Sequence, residues 1–235
     1  MFKRFISLQW KSFFRSSSFG KSVALKIIMG FFAVYMLVVL IGTGSGLYFI
    51  LRKVAPDQNP MWLLSRFFIY WVLIELFFRY FMQKLPVMDI KPLLISNVGK
   101  SSIAHYILGR SAVSFYNLLA LFFFIPFGIV LMVKGYPILN VTLWLVAIFA
   151  LVLFMNYVNF LINKVDKALY VLGALLIGLY ALDYFQIFSI KDVFGPVFHG
   201  LYAYPITVLI PIALAAGAYF VNYRYLKQNI SLEGA

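Results

Sequence analysis

Long apolar stretches dominate this chain and restrict its fold more than any other feature. Hydrophobic residues make up 64% of the 235 residues and charged residues only 11%, whereas charged residues make up about a quarter of an ordinary soluble domain. A helix that crosses a bilayer needs about 20 consecutive apolar residues. Such stretches occur at residues 27–51, 61–81, 112–133, 141–162, 169–188 and 206–223. The sequence therefore predicts an all-α integral membrane protein with six transmembrane helices.

The basic residues between these stretches indicate how the chain is oriented. Of the 20 Lys and Arg residues, fourteen lie before the first span, in the connections after the second and fourth spans, and in the tail, whereas the opposite connections hold four. Cytoplasmic connections carry the excess of Lys and Arg, so both termini are predicted to be cytoplasmic. The net charge of +13 is spread over short loops, which is typical of topology signals and contacts with anionic membrane lipids. It does not indicate a nucleic-acid-binding face.

Residues 1–20 have a different pattern from the rest of the chain. Aromatic and aliphatic side chains recur there at helical spacing, with the basic Lys3, Arg4 and Lys11 on the opposite side. This pattern predicts an amphipathic helix that lies in the plane of the membrane interface, followed by a transmembrane domain over residues 21–235. The helix can serve as a simple anchor or can also contact a cytoplasmic partner.

Two connections are longer than a hairpin between helices requires. Residues 82–111 contain two prolines and a glycine, which predict a short helix, a turn and a new helix that begins with Ser101 or Ser102 as its N-cap. Residues 189–205 combine aromatic side chains with glycine and proline. We expect this external segment to lie in the interface or to re-enter the membrane, where irregular backbone must be covered by protein or face water.

No nucleotide-binding or catalytic motif is recognisable. Lys21 and Lys100 each lie in a Gly-Lys-Ser tripeptide, but Arg15 and Leu94 occupy the positions where a phosphate-binding loop requires a glycine. The seven acidic residues and two histidines are dispersed along the chain, and cysteine is absent. The sequence therefore predicts no catalytic, cofactor or metal site on this chain.

Polar side chains inside two of the spans are candidates for a site. Glu75 and Arg79 are four residues apart and can pair on one helix face, while Asn156, Asn159 and Asn163 form a stripe on the fourth span. Charged groups in a membrane are costly and are usually functional, but an ion pair can also be structural. The asparagines can form hydrogen bonds between helices or line a path for a substrate.

Two further features of the spans concern packing and the membrane interface. Arg66, near the external end of the second span, is expected to extend its side chain to the interface. Gly42 and Gly46 form a GxxxG pair in the first span, which permits close helix packing within the chain or between subunits.

Taken together, these features resemble the permease subunits of type-2 ABC exporters. The segment after the second span is similar to their leucine-rich segment, which turns and restarts before a Gly-Lys or Gly-Arg pair, and it runs Lys91-Pro92-Leu93-Leu94-Ile95-Ser96-Asn97-Val98-Gly99-Lys100. The Phe-rich opening helix and Gln83-Lys84-Leu85-Pro86-Val87 resemble a Bacteroidota branch of that family. Asn97 departs from the proline found in many relatives, and the second hydrophobic half of that branch does not occur in this sequence.

The resemblance implies a function and partners. Residues 91–102 correspond to the coupling helix of the family, so residues 91–100 together with Lys3, Arg4 and Lys11 are expected to contact a separate ATPase subunit. A second permease chain is expected to complete the pathway, in a bacterial cytoplasmic (inner) membrane, for an amphipathic or lipid-like substrate. Two alternatives remain open: a self-sufficient secondary transporter or flippase, and a membrane scaffold that transports nothing.

Overall fold

The computed structural model of the protein describes residues 23–83, 99–163 and 167–229. Within these ranges the chain is helical and contains no strand. The helices are α1 (Val23–Val54), α2 (Pro60–Met82), α3 (Lys100–Ala112), α4 (Phe115–Val133), α5 (Ile138–Ile162), α6 (Ala168–Tyr184), α7 (Ile190–Ala203) and α8 (Leu209–Asn229), with a 3₁₀ turn at Pro205–Val208 before α8.

In the described part of the chain, five helical segments are long and apolar enough to cross a membrane. They are Gly30–Val54, Pro60–Phe81, Lys100–Val133, Ile138–Ile162 and Pro205–Asn229. The prediction of an all-helical protein with several membrane-spanning helices is therefore confirmed for the described residues. The predicted fifth span is only partly helical, because α6 has 17 residues and ends at Tyr184. The chain turns just beyond this end, where Gln186 has a φ of 55°, which a right-handed helix does not allow.

Helix α5 forms the centre of the molecule. It packs against α2, α3, α4, α7 and α8, and alanines at positions 147 and 150 let neighbouring backbones approach closely. Aromatic rings fill the space between α2, α4 and α5: the centroid of Phe124 lies 5.7 Å from that of Phe68 and 5.8 Å from that of Trp144. These buried rings are in tilted or edge-to-face arrangements, which aromatic pairs prefer.

Helix α4 is joined to α5 by a turn that requires glycine. Gly135 has a φ of 91°, its N–H donates to the carbonyl of Met132, and the N–H of Tyr136 donates to the carbonyl of Leu131, both at 3.1 Å. This pair of bonds is the Schellman motif that ends many helices. It turns the chain directly into α5, so α4 and α5 are neighbours.

Helix α3 begins slightly earlier than the sequence predicts. Gly99 is its N-cap residue, with extended backbone angles, and makes no side-chain capping bond. The prediction of Ser101 or Ser102 as the N-cap is therefore wrong. Instead of capping the helix, the hydroxyl of Ser101 lies 2.8 Å from the hydroxyl of Tyr223 on α8.

Helix α7 occupies the segment predicted to lie in the interface or to re-enter the membrane. It packs against α2, and Arg66 Nη2 lies 2.7 Å from Asp192 Oδ1. The guanidinium of Arg66 is thus paired with a carboxylate from α7, and its expected position at the membrane interface stays a prediction.

Helix α1 contacts the rest of the molecule mainly through α4. At the contact, a Cβ atom added to Gly44 would overlap the backbone carbonyl of Phe123, whereas Gly42 and Gly46 face no atom within 4 Å. The glycine that permits close packing within this chain is therefore Gly44, which lies between the two residues of the predicted GxxxG pair.

Candidate functional site

A fully buried arginine lies at the end of α2 that leads into residues 84–98. Arg79 is 1% exposed. Its Nε donates to Glu75 Oε1 at 3.0 Å, and its Nη2 lies 2.9 Å from the same oxygen. Its Nη1 donates to Gln83 Oε1 at 3.1 Å and to Asn117 Oδ1 at 2.7 Å. The predicted pairing of Glu75 with Arg79 is confirmed. The guanidinium also has two neutral acceptors, Gln83 at the end of α2 and Asn117 in α4.

The hydrogen bonds of Arg79 continue through the bundle. Gln83 Nε2 donates to Asn156 Oδ1 at 2.5 Å, and Asn156 Nδ2 donates to Ser111 Oγ at 2.9 Å. Asn117 Nδ2 donates to the carbonyls of Ser111 at 3.1 Å and Ala112 at 2.7 Å. We refer to this set as the Arg79 network: Glu75, Arg79, Gln83, Ser111, Asn117 and Asn156. It links α2, α3, α4 and α5 in one chain of contacts.

The predicted asparagine stripe on α5 takes part in this arrangement to different degrees. Asn156 and Asn159 are completely buried, and Asn159 Nδ2 approaches the carbonyl of Arg79 at 3.5 Å. Within the described part of the chain, Asn163 donates to Asn159, to its carbonyl at 2.9 Å and its Oδ1 at 2.8 Å. The first two asparagines therefore join α5 to α2, as the interpretation of interhelical hydrogen bonding predicts, and the third extends the stripe along its own helix.

The network also stabilises a break between two helices. Helix α3 ends at Ala112 and α4 begins at Phe115, so carbonyls at the end of α3 lack their usual helical donors. An unpaired carbonyl in an apolar environment is costly. The side-chain amide of Asn117 supplies donors to these carbonyls, while its oxygen accepts from Arg79. The buried charge and the helix break thus depend on the same side chain.

The network lies next to the segment predicted to contact an ATPase. Gln83 directly precedes residues 84–98, and α3 directly follows them. Residues 91–98, Lys3, Arg4 and Lys11 are outside the described residues. Gly99 and Lys100 are described, and both are exposed.

Several members of the network are not predicted from the sequence. Gln83 follows Arg79 by four residues, just as Arg79 follows Glu75, and this spacing is the signal that could have identified it. Asn117 is an amide within a strongly apolar run, which is a second usable signal. Ser111 has no such signal, because serine is common at the ends of helices.

A second polar cluster attaches α7 to its neighbours. Besides its ion pair with Arg66, Asp192 accepts from the hydroxyl of Ser189 at 2.5 Å. Lys191 Nζ lies 2.6 Å from Asp183 Oδ2 at the end of α6. The hydrogen bond from Ser189, together with the positive charges of Arg66 and Lys191, lowers the pKa of Asp192 below its ordinary value. Helix α7 is thereby linked by charge to both α2 and α6.

Neither polar cluster has the composition of a metal site. Among the described residues there is no group of three or more His, Cys, Asp or Glu side chains that could hold a metal ion. The Arg79 network combines one ion pair with neutral amides and a hydroxyl, a set of groups suited to holding helices in a fixed arrangement.

The five long apolar helices and the polar network buried between them define a class, the multi-pass helical membrane proteins. Within this class the chain belongs to DUF5687, a family of unknown function whose model matches residues 9–235. Comparisons with curated proteins and with solved structures give no match.

Proposed function

We propose that the protein is the permease subunit of an ABC exporter in a bacterial inner membrane. It moves an amphipathic or lipid-like substrate together with a separate ATPase subunit and a second permease chain. In this proposal α6 is the fifth of six spans, both termini are cytoplasmic, and residues 1–20 lie in the interface. The segment 189–205 re-enters the membrane from the external side.

The observation that carries the proposal is that the Arg79 network connects the helix before residues 84–98 to the helix after them. Gln83 at the start of this segment and Ser111 in the helix after it both bond to Asn156, at 2.5 Å and 2.9 Å. A partner that displaces the segment would therefore act on α5, the central helix, from two directions.

The mechanism follows from the helix break. Closure of the ATPase on nucleotide would move residues 91–102, and α3 would move with them because it continues the same segment. The interruption at residues 113–114 lets α3 change its angle relative to α4, as a hinge does. Arg79 and Asn117 transmit that change to α2, because their bonds span the break.

Affinity purification of the full chain from native membranes tests this proposal. An ATPase with a GxxxxGK[ST] loop is expected in stoichiometric amount with the natural chain and with the Lys134→Glu control, because Lys134 lies in the connection predicted to be external. The double charge reversal Lys91→Glu with Lys100→Glu should release it. Recovery of the folded chain without any ATPase would overturn the proposal.

A secondary transporter is the second candidate, and the position of Glu75 favours it. An ionisable residue within a span is a common element of ion-coupled transport, and the side chain of Glu75 is 23% exposed although its partner is buried. In vesicles containing only this chain, transport driven by an ion gradient and abolished in Glu75→Gln would support this alternative. Transport that requires the ATPase and ATP would exclude it.

A further inference from the structure

An apolar groove lies beside the contact between α1 and α4. On the N-terminal side of Gly44, helices α1, α2 and α4 enclose a groove of about 760 Å³. On α1 it is lined by Ile28, Phe32 and Met36, which are 65%, 57% and 43% exposed. The groove is therefore open to the outside of the bundle along α1, and a molecule dissolved in the membrane can enter it from the side.

Among the described residues that line this groove, one is charged. Every lining residue except Glu75 is aliphatic or aromatic. The contacts of Glu75 with Arg79 use Oε1, and Oε2 makes no hydrogen bond with any described residue. Because Arg79 is 1% exposed and Glu75 23% exposed, the ion pair presents its negative end to the groove and keeps its positive end inside the protein.

From this arrangement we infer that the groove binds an amphipathic amine, with its alkyl or aryl body along α1 and its ammonium group at Glu75. A volume of about 760 Å³ lies within the range of small-molecule sites, which are mostly apolar with few polar anchors. An ammonium group offers N–H donors and a positive charge to the carboxylate, whereas an acidic head group would place a second negative charge beside it. The role of the groove as a site for transported cargo rests on the proposed transport function, but binding of the amine itself requires no ATPase.

Trp71 provides a direct readout because it also lines the groove. The full chain in lipid nanodiscs is titrated with 4-bromobenzylamine, whose bromine quenches indole fluorescence on contact. Its bromine and ammonium group are separated by roughly one helical turn, which is also the spacing of Trp71 from Glu75. The matched probes are 4-bromobenzoic acid and 4-bromobenzyl alcohol. Trp71→Phe identifies the quenching that comes from this position. A charge-assisted hydrogen bond predicts that the amine binds about tenfold more tightly than the alcohol, and the acid should bind most weakly.

Two variants separate the charge from the space. Glu75→Gln should bring the affinity for the amine down to that for the alcohol, with the alcohol unchanged. Because this variant also removes the counterion of Arg79, Ala33→Phe provides a second test by filling the groove from α1. It should abolish quenching by all three probes, whereas Val34→Phe, which adds bulk to the neighbouring 61% exposed position, should not.

Two results would overturn the inference. Equal quenching by amine, alcohol and acid would mean that the groove accepts apolar molecules without regard to the charge of their polar group. No quenching of Trp71 by any probe would mean that another part of the protein or a second copy fills the groove. Neither result bears on the ATPase, so failure here leaves the proposed function to its own experiment.

Discussion

Arg79 carries a formal charge at a buried position among apolar helices. A charged side chain near the centre of a membrane costs about 2.5–3.5 kcal/mol on insertion scales, and a buried charge is tolerated only when it is paired and hydrogen-bonded. Glu75 supplies the opposite charge, while Gln83 and Asn117 accept from Nη1. The planar guanidinium suits this arrangement because it directs several donors in fixed directions.

Replacing Arg79 should therefore destabilise the protein strongly. Arg79→Ala leaves Glu75 as an unpaired carboxylate and removes a partner of Asn117, so a loss of about 3 kcal/mol is expected. Thermal unfolding of the purified protein in detergent, followed by circular dichroism, measures the effect. The unfolding temperature of Arg79→Lys should lie between those of the natural chain and Arg79→Ala, because an ammonium keeps the charge but cannot make the same set of directed bonds.

The matched control for this prediction is Arg224→Ala. Arg224 is exposed and stacks on the ring of Phe220, 4.4 Å from its centroid, so its loss should change the unfolding temperature little. Equal stability of Arg79→Ala and Arg224→Ala would contradict the structural role of the network.

The sequence allowed the contact between residues four apart on α2 to be predicted, but not the contacts with residues on other helices. Glu75 and Arg79 share one helix face at a spacing of four residues, which follows from helical geometry alone. Asn117 and Ser111 reach the network only through the tertiary arrangement of α3 and α4. Nothing in the local sequence places Asn117 beside Arg79, because the angle between their helices depends on packing.

At the scale of helices, Gly44 permits the close contact of α1 with α4. Gly44→Ala should displace α1, because the new Cβ would overlap the backbone carbonyl of Phe123, and backbone cannot move aside as a flexible side chain can. Overpacking of this kind typically costs about 1–3 kcal/mol. The unfolding temperature in detergent should fall accordingly.

Gly42→Ala and Gly46→Ala are the controls for Gly44→Ala on the same helix. Both glycines face open space, and alanine is the better helix former, so neither variant should be less stable than the natural chain. If all three variants unfold alike, the contact at Phe123 is not what positions α1.

The attachment of α7 to α2 should depend on pH. The pKa of Asp192 in the folded protein is below its ordinary value of 3.8. The contribution of its carboxylate to holding α7 against α2 is therefore complete above pH 3.8 and is lost as the pH falls through the lowered pKa. Amide hydrogen exchange in α7 should therefore become faster relative to α5 under strongly acidic conditions, and Asp192→Asn should show the faster exchange already at neutral pH.

The limits of most spans followed from apolar length, but two helix ends did not. Helix α6 ends at Tyr184 because the backbone turns at Gln186, although the apolar sequence continues to residue 188. Helix α3 begins at Lys100 because the backbone of Gly99 is extended, and the hydroxyl of Ser101 lies beside that of Tyr223 instead. In both cases a local backbone angle or a tertiary contact determines the end of the helix, and hydropathy contains no information about either.

For the molecule as a whole, the number of crossings decides the topology. The chain contains no cysteine, so single cysteines can be introduced at the exposed Gln58, Lys167 and Gln228. With six crossings, Gln58→Cys should react with an impermeant thiol reagent in intact cells, while Lys167→Cys and Gln228→Cys should react only after permeabilisation.

These three positions also distinguish five crossings from six. If α6 does not cross, Gln228→Cys lies on the same side as Gln58→Cys, and Lys167→Cys stays on the other side. Labelling of Lys167→Cys from outside in intact cells would contradict the orientation that the basic residues predict.

The length of α6 has a consequence for the bilayer around the protein. A helix of 17 residues rises about 25 Å, whereas the hydrocarbon layer is about 30 Å thick. If α6 crosses as the fifth of six spans, it produces a hydrophobic mismatch that the surrounding lipid relieves by thinning. Its exposed tyrosines, Tyr170, Tyr180 and Tyr184, are suited to the head-group level on either side of such a thinned patch. The lipids next to α6 would then have the shortest distance to travel between the two leaflets.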